Sequence, residues 1–299
     1  MTLRGFSKTA LNTAICRAAH QIIDDEPKIL RDPIAAKLLD EPTVTALRAR
    51  DAALMARANP GARMHFCLRS RVAEDCVARA VACGVDKYVI LGAGLDSFAY
   101  RQPEWARAIG IVEIDHPETQ AYKLDIVRSR ALGPPRNVTY LPVDFASESL
   151  LTRLEHSTLN VQRPIFVSWL GVTQYLTADA VAKTLHALAA WPGGCGIVLT
   201  YMLSDWLDFA PEAVARFEAQ RNMATSVGEP WLSGYSESSI TATLQAAGFA
   251  LQRSFSVAEL QSRYFAGRAD GLKAEGGPSR IMGAHTSADG GGWFDLGPL

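Results

Sequence analysis

The sequence predicts an α/β protein built on a mostly parallel sheet. Three observations carry that reading. Short apolar runs rich in Val and Ile recur from residue 88 onward, as expected of strands buried on both faces. The intervals between them are wide enough for crossover helices. Before residue 85 the apolar residues instead recur at helical spacing.

Leu11, Ile15, Ala18 and Ile22 mark one face of a first helix. The first 23 residues lack acids and carry Arg4, Lys8 and Arg17, a faint transit-peptide look, but the helical spacing favours an ordinary amphipathic helix. Asp32-Pro33 offers an N-cap followed by proline at the first helical position, leading into Ile34, Lys37, Leu38 and Leu39. Asn59-Pro60-Gly61 is a break. Leu68, Val72, Cys76, Val77, Ala80 and Val81 then share a helix face that Gly84 can terminate. Strands are predicted over 88–91, 111–114, 138–143, 165–170 and 197–201, with a helix over 177–190. Residues 203–235, rich in Trp, Phe, Met and Arg, read as a helical insertion. A helix over 237–247 ended by Gly248 leads to a sixth strand over 249–255, and 280–284 supplies a seventh. Residues 286–299 contain three successive glycines and read as a loose tail, with Trp293 and Phe294 as anchors.

Composition narrows the function. Thirty Lys and Arg stand against 31 Asp and Glu over 299 residues. A net charge of −1 lacks the basic footprint of a protein whose main partner is nucleic acid. Mean hydropathy is +0.03, and no run approaches a membrane span. Five cysteines, none in a Cys-x-x-Cys, read as free thiols in a reducing compartment, so a cytoplasmic protein is expected. The histidines show no metal-ligand spacing, and no metal is expected.

The sharpest motif is the run from Val89 to Asp96, a strand entering a Gly92-Ala93-Gly94 turn. Glycine there lets a ligand approach the backbone at the N-terminus of a following helix. Asp115, 23 residues after Gly92 at the end of the second strand, sits at the spacing at which an acid accepts from ribose hydroxyls. A third strand ends at Asp144-Phe145, where a carboxylate and a ring can hold an adenine. The cofactor is therefore nucleoside-containing. Ser97 replaces the third glycine of a dinucleotide fingerprint, and no Gly-Lys-Ser/Thr is present. Asp96 would repel a pyrophosphate but suits a cationic sulfonium, which favours S-adenosylmethionine over NAD.

These residues resemble a known family. The 91–97 turn with Tyr100-Arg101, Glu113 to Pro117, Val143-Asp144-Phe145 and Gly171 to Thr177 are similar to the leucine carboxyl methyltransferases, as are Ser7 to Leu11, Asp32 to Ala35 and Arg263 to Arg268. The likeness is strongest to the bacterial branch attached to polyketide and other secondary-metabolite pathways, and it spans about residues 7–285. It implies a Rossmann-like, seven-stranded methyltransferase fold using S-adenosylmethionine. By it, Gly92 and Gly94 face the methionine part, Asp115 the ribose, and Asp144 with Phe145 the adenine. The family's carboxylate-binding Arg matches Arg69-Ser70-Arg71, with Arg69 preferred; Arg71 and Asp75 otherwise form an i,i+4 pair. Leu170 stands where many members carry Glu, which weakens substrate inference.

The resulting expectation is an O-methyltransferase acting on a small molecule, with carboxyl methylation and a polyketide-type acceptor as its finer form. Gln174, Tyr175 and Tyr201 are candidates to line the acceptor pocket, and His116 is a candidate base with a cofactor-side role preferred. Trp206, Phe209, Phe217, Trp231 and Tyr235 suit an aromatic acceptor under a lid or a helical core. An NAD(P)-dependent oxidoreductase and a cofactor-binding scaffold without turnover are the alternatives. The expected organisation is a helical cap over 1–84, a cofactor domain over 85–285 with its insertion at about 203–235, and a flexible tail over 286–299.

Overall fold

The computed structural model describes residues 5–133, 135–144, 148, 150–155, 160–206 and 209–296. Seven strands form one sheet: β1 (Lys87–Leu91), β2 (Gly110–Asp115), β3 (Val138–Pro142), β4 (Ile165–Trp169), β5 (Cys195–Met202), β6 (Leu251–Phe255) and β7 (Ser279–His285). Their order is β3-β2-β1-β4-β5-β7-β6. The first five strands pair in parallel, and β7 runs antiparallel between β5 and β6. Sequence order reverses between β1 and β4, and a crevice opens at such a point beyond the strands' carboxyl ends.

The helices are α1 (Lys8–Ile23), α2 (Glu41–Arg48), α3 (Ala52–Arg57), α4 (Pro60–Ala82), α5 (Pro117–Ser129), α6 (Leu150–Glu155), α7 (Ala178–Ala189), α8 (Pro211–Ser226), α9 (Glu237–Ala247) and α10 (Val257–Tyr264). Strand pleating divides β1 between two cores. Tyr88 and Ile90 join Val72, Cys76 and Val77 of α4 on one face. Val89 and Leu91 join Val181 and Leu185 of α7 and Leu244 of α9 on the other. The predicted face of α4 is thus the one buried on the sheet, so this helix forms a layer of the main core. A third cluster gathers α1, α2 and Leu95 of the glycine turn.

Local signals mostly act as expected. Gly248 ends α9 in the left-handed region, and Thr177 caps α7. The break at Asn59-Pro60-Gly61 separates α3 from α4: Asn59 caps α4 through the Ala62 amide, and Pro60 is its first residue. Two expectations need correction. After Asp32-Pro33 only a short 3-10 helix forms, Ala35–Leu38. Asp40 there begins a new cap for α2, leaving no room for α-helical turns. Finally, the expected loose tail is held as far as Leu296. Residues Ala288–Phe294 form a 3-10 helix that buries Trp293 and Phe294 against Phe166, because those two side chains outweigh the freedom of three glycines. Among the described residues, no helix is long and apolar enough to cross a membrane.

Candidate active site

Parallel register sets the strand ends level. Leu91 pairs with Ile114 and Trp169, and Asp115 with Pro142. Gly92, Asp115, Asp144 and Leu170 therefore meet along one edge, and all line a cavity of about 690 Å³ there. Gly92 adopts φ +66°, and a Cβ on it would lie 2.3 Å from Val172 Cγ2, so both conformation and packing require glycine. Gly94 donates its amide to Asp115, whose other oxygen accepts from His116 N–H at 2.6 Å. Burial raises the Asp115 carboxyl above its ordinary range, and these two amides oppose the rise. Phe145 lies outside the described residues.

The glycine turn is not followed by an α-helix, contrary to expectation. Only 3-10 segments Phe98–Tyr100 and Glu104–Ala108 separate β1 from β2. Asp96 turns its carboxylate onto the Phe98 amide at 2.7 Å, and Ser97 donates to Asp32 at 2.6 Å. Side chains bonding locally and sideways in this way compete with a helical first turn. Without a helix N-terminus the turn offers no ready pyrophosphate site, and Asp96 lines the cavity as an acid.

Asp32 is fully buried and holds this turn to the N-terminal helices. It accepts from Arg17 Nε at 3.0 Å and from the Ala35 amide, besides Ser97. Arg17 also donates to the Leu95 carbonyl. Arg101, paired with Glu74 of α4, stands 3.5 Å from the second Asp32 oxygen.

Arg69 of α4 is 8% exposed and enters the cavity, whereas Arg71 pairs with Asp75 at 2.9 Å. The Arg69 guanidinium packs on Gly171, where a Cβ would lie 2.5 Å from Nη1 and where φ is +74°. It stands over the Phe66 ring at 4.7 Å. Among the described residues it has no ion-pair partner, and its buried Nε has no hydrogen bond. Burial, aided by Arg17, lowers its pKa to about 10, so it remains a cation at neutral pH.

A second cavity, of about 410 Å³, adjoins the first. Thr9, Thr13, Arg69, Gly171 and Tyr175 line both. Gln174 lines the second and donates to the Gly171 carbonyl at 3.1 Å. Burial raises the Tyr175 phenol, opposed by its contacts with Thr9, Gln174 and Trp231. Tyr201 does not join them. It is 1% exposed and packs edge-to-face on Tyr235 inside the core, while its neighbour Met202 faces the pocket, as strand alternation dictates. The insertion supplies Phe217 and Trp231 to the lining, and Trp206 packs edge-on against both. His116 caps α5 and lines the first cavity, away from the second.

The sequence reading missed several lining residues. His65 and Phe66 precede Arg69 on the same face of α4, and Arg57, Arg216 and Glu275 complete the charged lining. The four-residue spacing of Gly61, His65 and Arg69 is the signal that marks this face. Burial, together with Arg69 and Arg280, pushes the His65 imidazole down to about 3. Glu229 was also missed. It lies in the first cavity, 4% exposed, and its carboxylate accepts from the start of α1.

Residues 10–189 match the leucine carboxyl methyltransferase family. A Bacillus subtilis protein described as an S-adenosyl-L-methionine-dependent methyltransferase is 29% identical over 290 residues, covering 90% of this chain and 94% of that one. A Frankia alni protein of the same description is 30% identical over 194 residues, covering 62% and 65%. Among solved structures, a Streptomyces avermitilis protein gives a TM-score of 0.56 at 14% identity, covering 91% of this chain and 97% of that one. A Thermobifida fusca protein described as a methyltransferase gives 0.55 at 14% identity, covering 92% and 94%. At such identities the structural likeness is one of fold. The fold, with its cavity at the β1/β4 switch point, defines a Rossmann-like S-adenosylmethionine-dependent methyltransferase. The chain belongs to the leucine carboxyl methyltransferase family.

Proposed function

We propose that the protein methylates an oxygen of a small organic acid, with the carboxylate itself as acceptor and an apolar, polyketide-type body beside it. The observation that carries this is the net positive lining of the second cavity, which adjoins the cofactor cavity at Arg69. Arg57 and Arg216 add positive charge to the second cavity, against Glu275. Phe66, Phe217, Trp231, Met202 and Met223 supply apolar surface.

The first cavity fits the cofactor. Asp115 would accept from the ribose, Asp144 from the adenine, and the Gly92 and Gly94 backbone would flank the methionine part, with Arg69 holding its carboxylate through paired N–H donors. The bound sulfonium supplies an already activated methyl group. The chain then has to hold the acceptor oxygen in line and about 3 Å away, which Thr9, Thr13 and Tyr175 at the shared wall are positioned to do.

The pocket's histidine argues for a carboxylate over a phenol. A carboxylate is ionised at neutral pH and needs no base, whereas a phenol with a pKa of about 10 is helped by one. His65, held near 3, is a poor proton acceptor for that task, and His116 stands on the cofactor side. Five free thiols accord with a cytoplasmic site of action.

The test is incubation with S-adenosylmethionine and matched aromatic or polyketide-like acids and phenols, with products read by mass before and after mild alkali. A methyl gain on acids that alkali removes is the expected result. Methylation confined to phenols, stable to alkali, would sink the carboxylate assignment.

A further inference from the structure

We infer that Glu229 is a positioning residue that pins the first turn of α1 across the methionine end of the cofactor cavity. Glu229 follows the C-terminus of α8, more than two hundred residues from α1 in sequence, yet its carboxylate collects four donors from Ser7, Lys8 and Thr9. Lys8 N–H donates at 2.6 Å, Thr9 N–H at 3.4 Å, Ser7 Oγ–H at 3.0 Å, and the Thr9 hydroxyl donates as well. Ser7 Oγ in turn accepts from the Ala10 amide as the cap of α1. Among the described residues no lysine or arginine forms an ion pair with Glu229, so oriented dipoles at the helix start stabilise its charge.

The clasp holds a wall that both ligands would touch. Ser7, Thr9, Ala10 and Thr13 line the cofactor cavity, and Thr9 and Thr13 line the acceptor cavity too. Ala10 sits directly over the glycine turn, with its Cβ 2.9 Å from where a Gly94 Cβ would be. On the other side, the segment after Glu229 is tied to the loop beyond β4. Leu232 N–H donates to the Gln174 carbonyl at 2.6 Å, and Ser233 Oγ to the Thr173 carbonyl at 2.9 Å. One carboxylate therefore joins the insertion to the N-terminal helix where the two cavities meet. Asp144 and Glu148, at the nucleoside end, share none of these bonds with it.

Two ligands separate this role from general support of the fold. S-adenosylhomocysteine carries the amino-acid end, whereas 5′-methylthioadenosine keeps the nucleoside and thioether but lacks that end. In calorimetric titrations, Glu229→Gln is expected to weaken S-adenosylhomocysteine about ten-fold and leave 5′-methylthioadenosine within about two-fold. Thr9→Val removes one hydroxyl donor and leaves the carboxylate charge and three other donors. It keeps the comparison open if Glu229→Gln folds poorly, with a shift of about three-fold for S-adenosylhomocysteine alone. Equal weakening of both ligands, or unchanged S-adenosylhomocysteine affinity in a folded variant, would overturn the inference.

Discussion

The two cavities differ in charge as much as in shape. Asp96, Asp115, Asp144, Glu148, Asp179 and Glu229 line the first against Arg17 and Lys183, and Arg57 and Arg216 line the second against Glu275. Arg69 stands on the boundary. An acidic chamber suits a cationic sulfonium, and a basic one suits an anionic acceptor, so each ligand is drawn to its own side. On the proposed reading of a sulfonium cofactor and a carboxylate acceptor, the difference teaches that sorting of the two reactants is built into the walls.

Removing Arg69 tests the boundary most severely. Arg69→Met is expected to weaken S-adenosylhomocysteine by about 2–3 kcal/mol, roughly thirty- to 150-fold, as read by calorimetry. Unchanged affinity would move Arg69 wholly to the acceptor side. Asp115→Ala should cost about 1.5–3 kcal/mol of the same affinity, through the lost ribose acceptor and the released Gly94 amide. A folded variant with native affinity would break the ribose assignment.

A pH titration of folding stability probes the contact between α1 and α4, which line the second cavity. Burial raises Asp24, but hydrogen bonds from His20 and Arg63 prevail and hold it down to about 2. A depressed carboxyl stabilises the fold above its ordinary value of 3.8 and loses that contribution as pH falls towards 2. Denaturant midpoints for Asp24→Asn should accordingly be lower than wild type at pH 7 and converge with it near pH 2; parallel curves would refute the coupling. The smallest effect is expected at Tyr201, whose buried hydroxyl has no partner among the described residues. Tyr201→Phe should leave methyl transfer unchanged and alter stability by less than about 1 kcal/mol, because no hydrogen bond is lost. A large fall in acceptor turnover would return Tyr201 to the pocket.

The cavities also differ in how far they were legible. Gly92, Asp115 and Asp144 sit at the ends of successive parallel strands, so local runs and register were enough to bring them together. Arg69 needed the family likeness, since the i,i+4 spacing of Arg71 and Asp75 sets the two arginines apart without saying that either meets a ligand. The second cavity draws on α4, α8, β5 and the 275–279 loop, and sequence spacing carries no record of which distant segments converge. Tyr201 shows the limit from the other side: the strand was right, but the alternate face was not chosen. The glycine turn failed for a different reason, since Asp96 and Ser97 spend their side chains on local and cross-segment bonds that a helix reading ignores.

The Asp32 hub has a consequence for redesign. Its carboxylate draws together Arg17, Ser97 and Arg101, and through Arg101 the Glu74 of α4. The N-terminal helices cannot therefore be exchanged as a cassette between relatives to change the acceptor. A graft that keeps the arginine of α1 but omits an acid at this point would leave a buried guanidinium without its ion-pair partner beneath the glycine turn, with Arg101 held by Glu74 alone. On the proposed function, altering the acceptor while sparing the cofactor calls for substitutions at second-cavity positions such as Phe217 and Met223, with Arg69 and the ring around Asp32 left whole.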